Sequence, residues 1–161
     1  IKPIKNQLFA VELAAALNTK LTIIGNVLDK EYFDKINKRI LQLEAKVNFI
    51  HDCTSPQQLF DQFSLGLMCS KSESGPLVTI EYLANELPFL SYETGETARA
   101  LKEDLPDFFI STFDIELWMQ KIKKSSTLEV DLFSIFDKFF SPNKQIDRCL
   151  NIYKIVSGRN F

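Results

Sequence analysis

Two glutamates, Glu73 and Glu81, lie eight positions apart in the stretch SESGPLVTIEYLANELPFL, on either side of a Gly-Pro pair. Carboxylates accept hydrogen bonds from hydroxyl groups, whereas they repel phosphate. If a helix begins near Pro76, Glu81 falls roughly 7 Å along it, because each helical residue rises 1.5 Å. The spacing therefore favours a ligand whose hydroxyl-bearing ends are bound by one carboxylate each.

The Gly75-Pro76 pair predicts the start of that helix, because proline is tolerated in the first helical turn. The backbone N–H groups of Leu77, Val78 and Thr79 would then be free at the positive end of the helix dipole, which is a ready site for an anion such as diphosphate. A diphosphate with a polyol at each end is a nucleotide-sugar. The alternative is that the spacing arises by chance and that Glu81 lies on a solvated helix face.

The elements that position these residues alternate between apolar β-like runs and helical patterns. Such alternation predicts right-handed βαβ units, a parallel sheet and ligand binding beyond the carboxyl ends of the strands. The fold class is therefore an α/β, Rossmann-like open parallel sheet flanked by helices, with extra C-terminal helices. The predicted strands are Lys20–Gly25, Val47–Ile50, Leu65–Ser70, Pro88–Tyr92 and Asp107–Ile110.

Helical periodicity is clear in several segments between and after these strands. Asn6–Leu17 is rich in Ala and Leu, and Phe33, Ile36, Ile40 and Leu43 form one apolar stripe. In SPQQLFDQF, Ser55 is predicted to cap a helix through a capping box with Gln58. From Asp114 onward the pattern is helical throughout.

Composition indicates one globular domain over residues 1–161, with 45% hydrophobic and 25% charged residues. A net charge of −2 argues against a nucleic-acid partner, which requires a dense basic face. No apolar run reaches the roughly 18–20 residues of a membrane span. Three scattered cysteines and one histidine, without CxxC spacing, predict reduced thiols, a cytoplasmic location and no metal site.

Several motifs together resemble the C-terminal half of the retaining GT-B glycosyltransferases of group 1, also called family 4. ESGPLVTIE matches the E-x7-E signature of that family, and Pro88 and Gly95 fall where its following pattern has a proline and a glycine. KNQLFAVELAAAL is similar to its K-G-x-x-x-L-I-x-A segment, LTIIGN to a strand and glycine turn, and CLNIYKIV to its final tyrosine-containing helix.

The resemblance implies a role for each matching residue. Glu73 would contact the hydroxyls of the donor sugar and stabilise an oxocarbenium-like transition state, and Glu81 would bind the ribose. Lys5, with the backbone of Ser74, Gly75, Pro76, Leu77 and Val78, would neutralise the leaving diphosphate. Gly25, Asn26, His51 and Asp52 would line the region of the base and ribose.

The function implied is donor binding in a hexosyltransferase of bacterial type, acting in the assembly of polysaccharides or glycolipids. No cofactor or metal is expected, since the chain has no D-x-D motif. The acceptor-binding N-terminal domain, the first strand and an arginine before Lys5 are expected upstream of Ile1, so the isolated domain should bind donor without transferring sugar. Peripheral contact with the inner face of the membrane is expected through that missing domain.

The sequence also departs from the family pattern, because Asn6 and Glu96 replace two of its glycines and a third is displaced to Gly75. A nucleotide-binding Rossmann-type module without glycosyl transfer is the alternative function. The stretch IKPIKNQ cannot supply the G-x-G-x-x-G turn of dinucleotide-binding proteins, which argues against that class of module. A receiver-like interaction domain is disfavoured because no predicted strand ends in the required aspartate.

Overall fold

The computed structural model of the chain describes residues 1–125 and 130–158. Its strands are β1 (Lys20–Ile24), β2 (Lys46–Ile50), β3 (Gly66–Met68), β4 (Phe89–Tyr92) and β5 (Phe109–Ile110). Its α-helices are α1 (Gln7–Ala16), α2 (Lys30–Leu43), α3 (Leu77–Ala84), α4 (Gly95–Leu101), α5 (Ile115–Ser125), α6 (Leu132–Phe140) and α7 (Pro142–Ser157). The predicted Rossmann-like α/β fold with additional C-terminal helices is confirmed.

Every pair of hydrogen-bonded strands is parallel, as predicted. The bonds divide the strands into two groups, β1-β2 and β3-β4-β5, rather than one continuous sheet. In the first group Ile24 is paired with Ile50, and in the second Met68 is paired with Ser91. The loops that follow these strands therefore lie at the carboxyl edge of each sheet, where ligands bind in such folds.

Two helices show why the sequence folds locally as it does. In α2, the side chain of Asp29 accepts a hydrogen bond of 2.9 Å from the backbone N–H of Tyr32 and caps the helix start. Ile36 of the predicted stripe is fully buried against α1 and β1. In α5, Trp118 is fully buried and its indole N–H donates to the backbone oxygen of Thr112 at 2.8 Å.

The core consists of three apolar clusters. One lies beneath α3, α4 and α6 around Leu83 and Phe89, a second joins α1, β4, β5 and α5 around Leu13 and Trp118, and the third joins α1, α2 and β1. By contrast, α7 buries none of its side chains, and its apolar residues Ile146, Leu150 and Tyr153 are exposed.

The capping-box prediction at Ser55 was wrong. Residues Pro56–Gln62 form a 3-10 helix, and the side chain of Ser55 makes no capping hydrogen bond. Instead, the backbone N–H of Gln58 donates to the backbone oxygen of Ser55 at 3.2 Å. The tighter 3-10 turn, closed by bonds three residues apart, leaves the cap interaction unused.

Candidate functional site

The central pair of the candidate site is Lys5 and Glu73. The ammonium Nζ of Lys5 lies 2.5 Å from Oε1 of Glu73, with the two side chains 43% and 18% exposed. Lys5 ends the 3-10 turn Pro3–Lys5, and Glu73 belongs to the loop between β3 and α3. The structure thus brings together the two residues predicted to serve the diphosphate and the sugar.

The loop carrying Glu73 is fixed from the side of α4. The backbone N–H of Glu73 donates to Oγ1 of Thr94 at 3.2 Å, and the backbone N–H of Glu96 donates to the carbonyl oxygen of Ser74 at 2.8 Å. Gly95 has a φ of +78°, and a Cβ there would lie 2.8 Å from the backbone oxygen of Glu73. Glycine at this position therefore permits the close approach of α4 to the loop.

The charge state of Glu73 follows from its surroundings. Partial burial by itself raises the pKa of the Glu73 carboxyl, but hydrogen bonds from Lys5 and Ser70 and the charges of Lys5 and Lys2 outweigh it, so that the pKa lies below its ordinary value. Glu73 is therefore an anion at neutral pH, which is the state that accepts hydrogen bonds from hydroxyls.

The start of α3 is open. Pro76 precedes the first helical residue and provides no side-chain cap. Among the described residues, the backbone N–H groups of Leu77 and Val78 have no hydrogen-bond partner. Thr79 was predicted to offer a third free N–H, and this was wrong, because that group donates to the backbone oxygen of Pro76 at 3.2 Å.

Gly75 leaves space beside this helix start. A Cβ added to Gly75 would find its nearest neighbour, Oγ1 of Thr97, only 4.0 Å away, so packing within the described chain does not require glycine here. Gly75 also borders a groove of about 460 Å³. Its other lining residues are Ile80, Glu96, Thr97, Ala100, Phe140, Gln145 and Arg148.

Glu81 lies in α3 and faces the 3-10 helix Pro56–Gln62. Its Oε1 accepts a hydrogen bond of 2.9 Å from Nε2 of Gln57, and its side chain is half-buried. Glu73 is paired with Lys5 instead, so the two glutamates turn toward different neighbours. Their predicted contacts with sugar and ribose stay predictions.

The remaining predicted residues lie together after β1 and β2. Nδ2 of Asn26 donates to Oδ1 of Asp52 at 2.9 Å, and the backbone N–H of Asp52 donates to Oδ1 of Asn26 at 2.7 Å. Nδ1 of His51 lies 2.8 Å from the backbone oxygen of Gly25. The two loops thus form one unit at the carboxyl edge of β1 and β2.

Residues 1–5, here called the bridging segment, connect this unit to the Glu73 loop. The backbone oxygen of Ile1 accepts from the N–H groups of Leu28 and Asp29, at 3.0 and 3.2 Å, in the loop after β1. The backbone oxygen of Ile4 accepts from the N–H of Lys71 at 2.8 Å, in the loop after β3. Three residue steps span about 10 Å at most, so the two loops lie close together.

Sequence reasoning missed three contributors to the site, namely Gln57, Thr94 and Ser70. Gln57 and Thr94 contact a glutamate that is distant in sequence, whereas Ser70 contacts Glu73 within the same loop. Their residue types are common in loops and carry no pattern of their own, so no local signal pointed to them. Gly95, by contrast, could be identified from the sequence, since it matched a glycine in the pattern of the group 1 glycosyltransferases.

The described residues contain no group of three or more His, Cys, Asp or Glu side chains placed to hold a metal ion. None of the described helices combines the length and apolar character needed to traverse a bilayer. Metal independence of the site stays a prediction.

The family profile described as Glycosyl transferases group 1 matches residues 1–156. The chain belongs to this family. A search of curated protein sequences finds no match.

Solved structures support the fold of this group 1 glycosyltransferase chain. Anabaena Alr3699/HepE, solved in complex with UDP-glucose, is 17% identical with a TM-score of 0.77 over 94% of this chain and 46% of its own. The same protein in complex with UDP gives 18% identity and a TM-score of 0.77, over 93% and 46% of the two chains.

A third similar structure is AviGT4, a glycosyltransferase involved in avilamycin A biosynthesis. It is 18% identical with a TM-score of 0.73, covering 99% of this chain and 50% of AviGT4. The chain thus spans about half the length of the solved structures that it matches.

Proposed function

We infer that this chain is the donor-binding domain of a retaining glycosyltransferase, which binds a nucleoside-diphosphate sugar for transfer of a hexosyl group to a saccharide or lipid-linked acceptor. The observation that carries this proposal is the pairing of Lys5 with Glu73 beside the uncapped start of α3. The loop that carries Glu73 leads directly into α3, so one stretch of chain supplies an ionised carboxylate and two free backbone N–H groups, and Lys5 adds the cation that pairs with the carboxylate. These groups suit an anionic ligand with hydroxyl groups.

The diphosphate would bind at the start of α3 and to the ammonium of Lys5. Its negative charge then competes with Glu73 for Lys5, and the released carboxylate is free to accept hydroxyl groups of the donor sugar. As the glycosidic bond to the diphosphate breaks, the same carboxylate stabilises the developing oxocarbenium charge, while Lys5 and the helix dipole stabilise the leaving group. The positive charge needed by the leaving diphosphate is thus supplied without a metal.

The nucleoside would extend toward Gln57 and His51. Glu81 faces Gln57, whose amide holds Oε1 at 2.9 Å and leaves the second carboxylate oxygen for the ribose hydroxyls. The base would then lie near the loops that contain Gly25, Asn26, His51 and Asp52. In this proposal the sugar and diphosphate bind near Glu73, Lys5 and α3, the ribose binds at Glu81, and the base binds at the loops after β1 and β2.

The similar HepE structures, which hold UDP and UDP-glucose, support a nucleotide-sugar as the ligand and make UDP the first nucleotide to test. Because the chain spans about half of those proteins, we propose that an acceptor-binding domain completes the enzyme and that this domain alone is inactive in transfer. Assembly of a bacterial polysaccharide or glycolipid, with membrane contact through the acceptor-binding domain, is the corresponding biological role.

Calorimetric titration with UDP, GDP and ADP in the presence of EDTA tests this function. We expect at least one nucleoside diphosphate to bind without divalent metal, and both Lys5→Ala and Glu81→Ala to weaken it. Binding that requires metal would contradict the role given to Lys5 and α3. Binding of NAD in place of these nucleotides would favour a nucleotide-binding module without glycosyl transfer.

A further inference from the structure

His51 is held in one orientation in the loop directly after β2. Its ring stacks on Phe49 with centroids 6.0 Å apart and planes 7° from parallel, and it meets the edge of Phe33 at 6.2 Å. The side chain is nevertheless exposed. An exposed ring that is fixed by two aromatic neighbours presents its remaining polar atom to solvent in a defined direction.

The tautomer of His51 follows from its hydrogen bond to Gly25. A backbone carbonyl oxygen only accepts, so Nδ1, at 2.8 Å from that oxygen, carries the hydrogen. In the neutral imidazole, Nε2 is then an acceptor with an open lone pair. No described residue donates a hydrogen bond to it.

The polar neighbours of His51 are already engaged. Asn26 and Asp52 bind each other through two hydrogen bonds, which fix the loops after β1 and β2. Nε2 of His51 is consequently an available acceptor beside Asn26 and Asp52, which hold the two loops together. It can receive an N–H from a ligand without breaking any contact of the free protein.

The position of His51 suits the base of the proposed donor, and this inference rests on the proposed function. His51 is hydrogen-bonded to Gly25, at the start of the loop after β1. The bridging segment connects that loop to the loop that contains Glu73. Six residues after His51, Gln57 contacts Glu81. The proposed function places the ribose at Glu81 and the base near the loops after β1 and β2, and His51 is the side chain of those loops whose ring is fixed and whose acceptor is open.

We propose that His51 is a specificity-determining residue whose Nε2 accepts the imide N–H of the donor base, so that the site selects uracil or guanine nucleotides. These bases carry a ring N–H on their pairing edge, whereas cytosine and adenine present a ring acceptor there. Two acceptors facing each other leave both unsatisfied, which costs binding free energy.

The test compares UDP with 3-methyl-UDP, in which a methyl group replaces the imide hydrogen. Both are titrated into the protein under the same conditions. We expect 3-methyl-UDP to bind roughly tenfold more weakly, because one hydrogen bond is lost and a partner is left unpaired. This comparison needs no substitution and does not depend on how a variant folds.

His51→Phe then assigns the effect, since phenylalanine retains a ring that can stack on Phe49 and removes the acceptor. The two ligands should bind this variant equally, whereas the exposed Thr54→Ala in the same loop should preserve the tenfold preference. The proposal for His51 is overturned if both ligands bind the unmodified protein equally, or if the preference for UDP persists in His51→Phe. In either case, binding of UDP would still support donor binding. Failure of UDP and GDP to bind overturns both.

Discussion

The ammonium of Lys5 lies 2.5 Å from Oε1 of Glu73, although the residues are 68 positions apart in sequence. In the proposed reaction each has a separate task, Lys5 on the diphosphate and Glu73 on the sugar. Their pairing in the free protein neutralises both charges until a ligand with its own anion arrives. In the proposed reaction, binding of the diphosphate to Lys5 would therefore release the carboxylate of Glu73 for the sugar.

Replacing Lys5 by alanine is expected to weaken binding of the nucleoside diphosphate by roughly ten- to a hundredfold, the range for a charge-assisted hydrogen bond. Calorimetry measures this directly. Lys35→Ala removes the same charge from an exposed position on α2 and should leave the affinity unchanged. Equal losses in both variants would mean that only overall charge matters.

Substitution of Glu81 by alanine should reduce affinity for UDP by about tenfold, because the ribose loses its acceptor. Gln57→Ala should have a smaller effect in the same direction, since Gln57 only orients the carboxylate. Titration of the free nucleoside uridine, which lacks phosphate, separates this role from diphosphate binding. Glu103→Ala, at an exposed position after α4, is the matched control, and an unaffected Glu81→Ala protein would disprove the ribose contact.

The depressed pKa of Glu73 predicts how stability depends on pH. Because its folded-state pKa lies below its unfolded value, the pairing stabilises the protein above the ordinary glutamate value of about 4.3, and that contribution is lost as pH falls through the folded pKa. The free energy of unfolding should therefore differ between the wild type and Glu73→Gln at neutral pH. Denaturation with urea between about pH 3 and pH 7 should show this difference shrinking toward low pH, and a constant difference would contradict the assignment.

Gly95→Ala is expected to lower the free energy of unfolding by about 1–3 kcal/mol, since a Cβ adds strain at positive φ and collides with the Glu73 carbonyl. Gly158→Ala provides the comparison, because φ there is +63° but no atom of residues 1–125 and 130–158 lies within 4 Å of an added Cβ. Chemical denaturation of both variants separates backbone strain from collision. A loss at Gly95 no larger than that at Gly158 would show that the close approach is unimportant.

Gly75→Ala should separate binding from stability. An added Cβ contacts nothing closer than 4.0 Å, so the free energy of unfolding should change by less than about 0.5 kcal/mol. Affinity for the nucleoside diphosphate should nevertheless fall, because the methyl group occupies space beside the open N–H groups of α3. Thermal denaturation and calorimetry on the same sample test both halves, and unchanged affinity would place the diphosphate elsewhere.

Features set by residues close in sequence were predicted well. The apolar runs gave the five strands with small errors at their ends, and the Gly75-Pro76 pair gave the start of α3. Local alternatives explain the failures. Thr79 closes a turn onto Pro76, and Ser55 leads into a 3-10 helix, because both hydrogen-bonding patterns are available to the same short sequences.

Contacts between distant segments were beyond sequence reasoning. The hydrogen bond of Gln57 to Glu81 joins residues 24 positions apart, and Thr94 reaches the N–H of Glu73 across 21 positions. Such pairs depend on how the two sheets and α4 are arranged in space, which periodicity does not determine. The proximity of Lys5 to Glu73 followed from a family resemblance and not from any pattern of spacing.

The bridging segment, hydrogen-bonded through its carbonyl oxygens to Leu28 and Asp29 at one end and to Lys71 at the other, limits how far the loop after β1 can lie from the loop after β3. Its three residue steps reach about 10 Å at most, which sets an upper limit on that separation while both sets of hydrogen bonds are kept. In the proposed complex, a ligand that forced the two loops further apart would have to break those hydrogen bonds. A displacement of either loop would also be transmitted to the other, which couples the two ends mechanically.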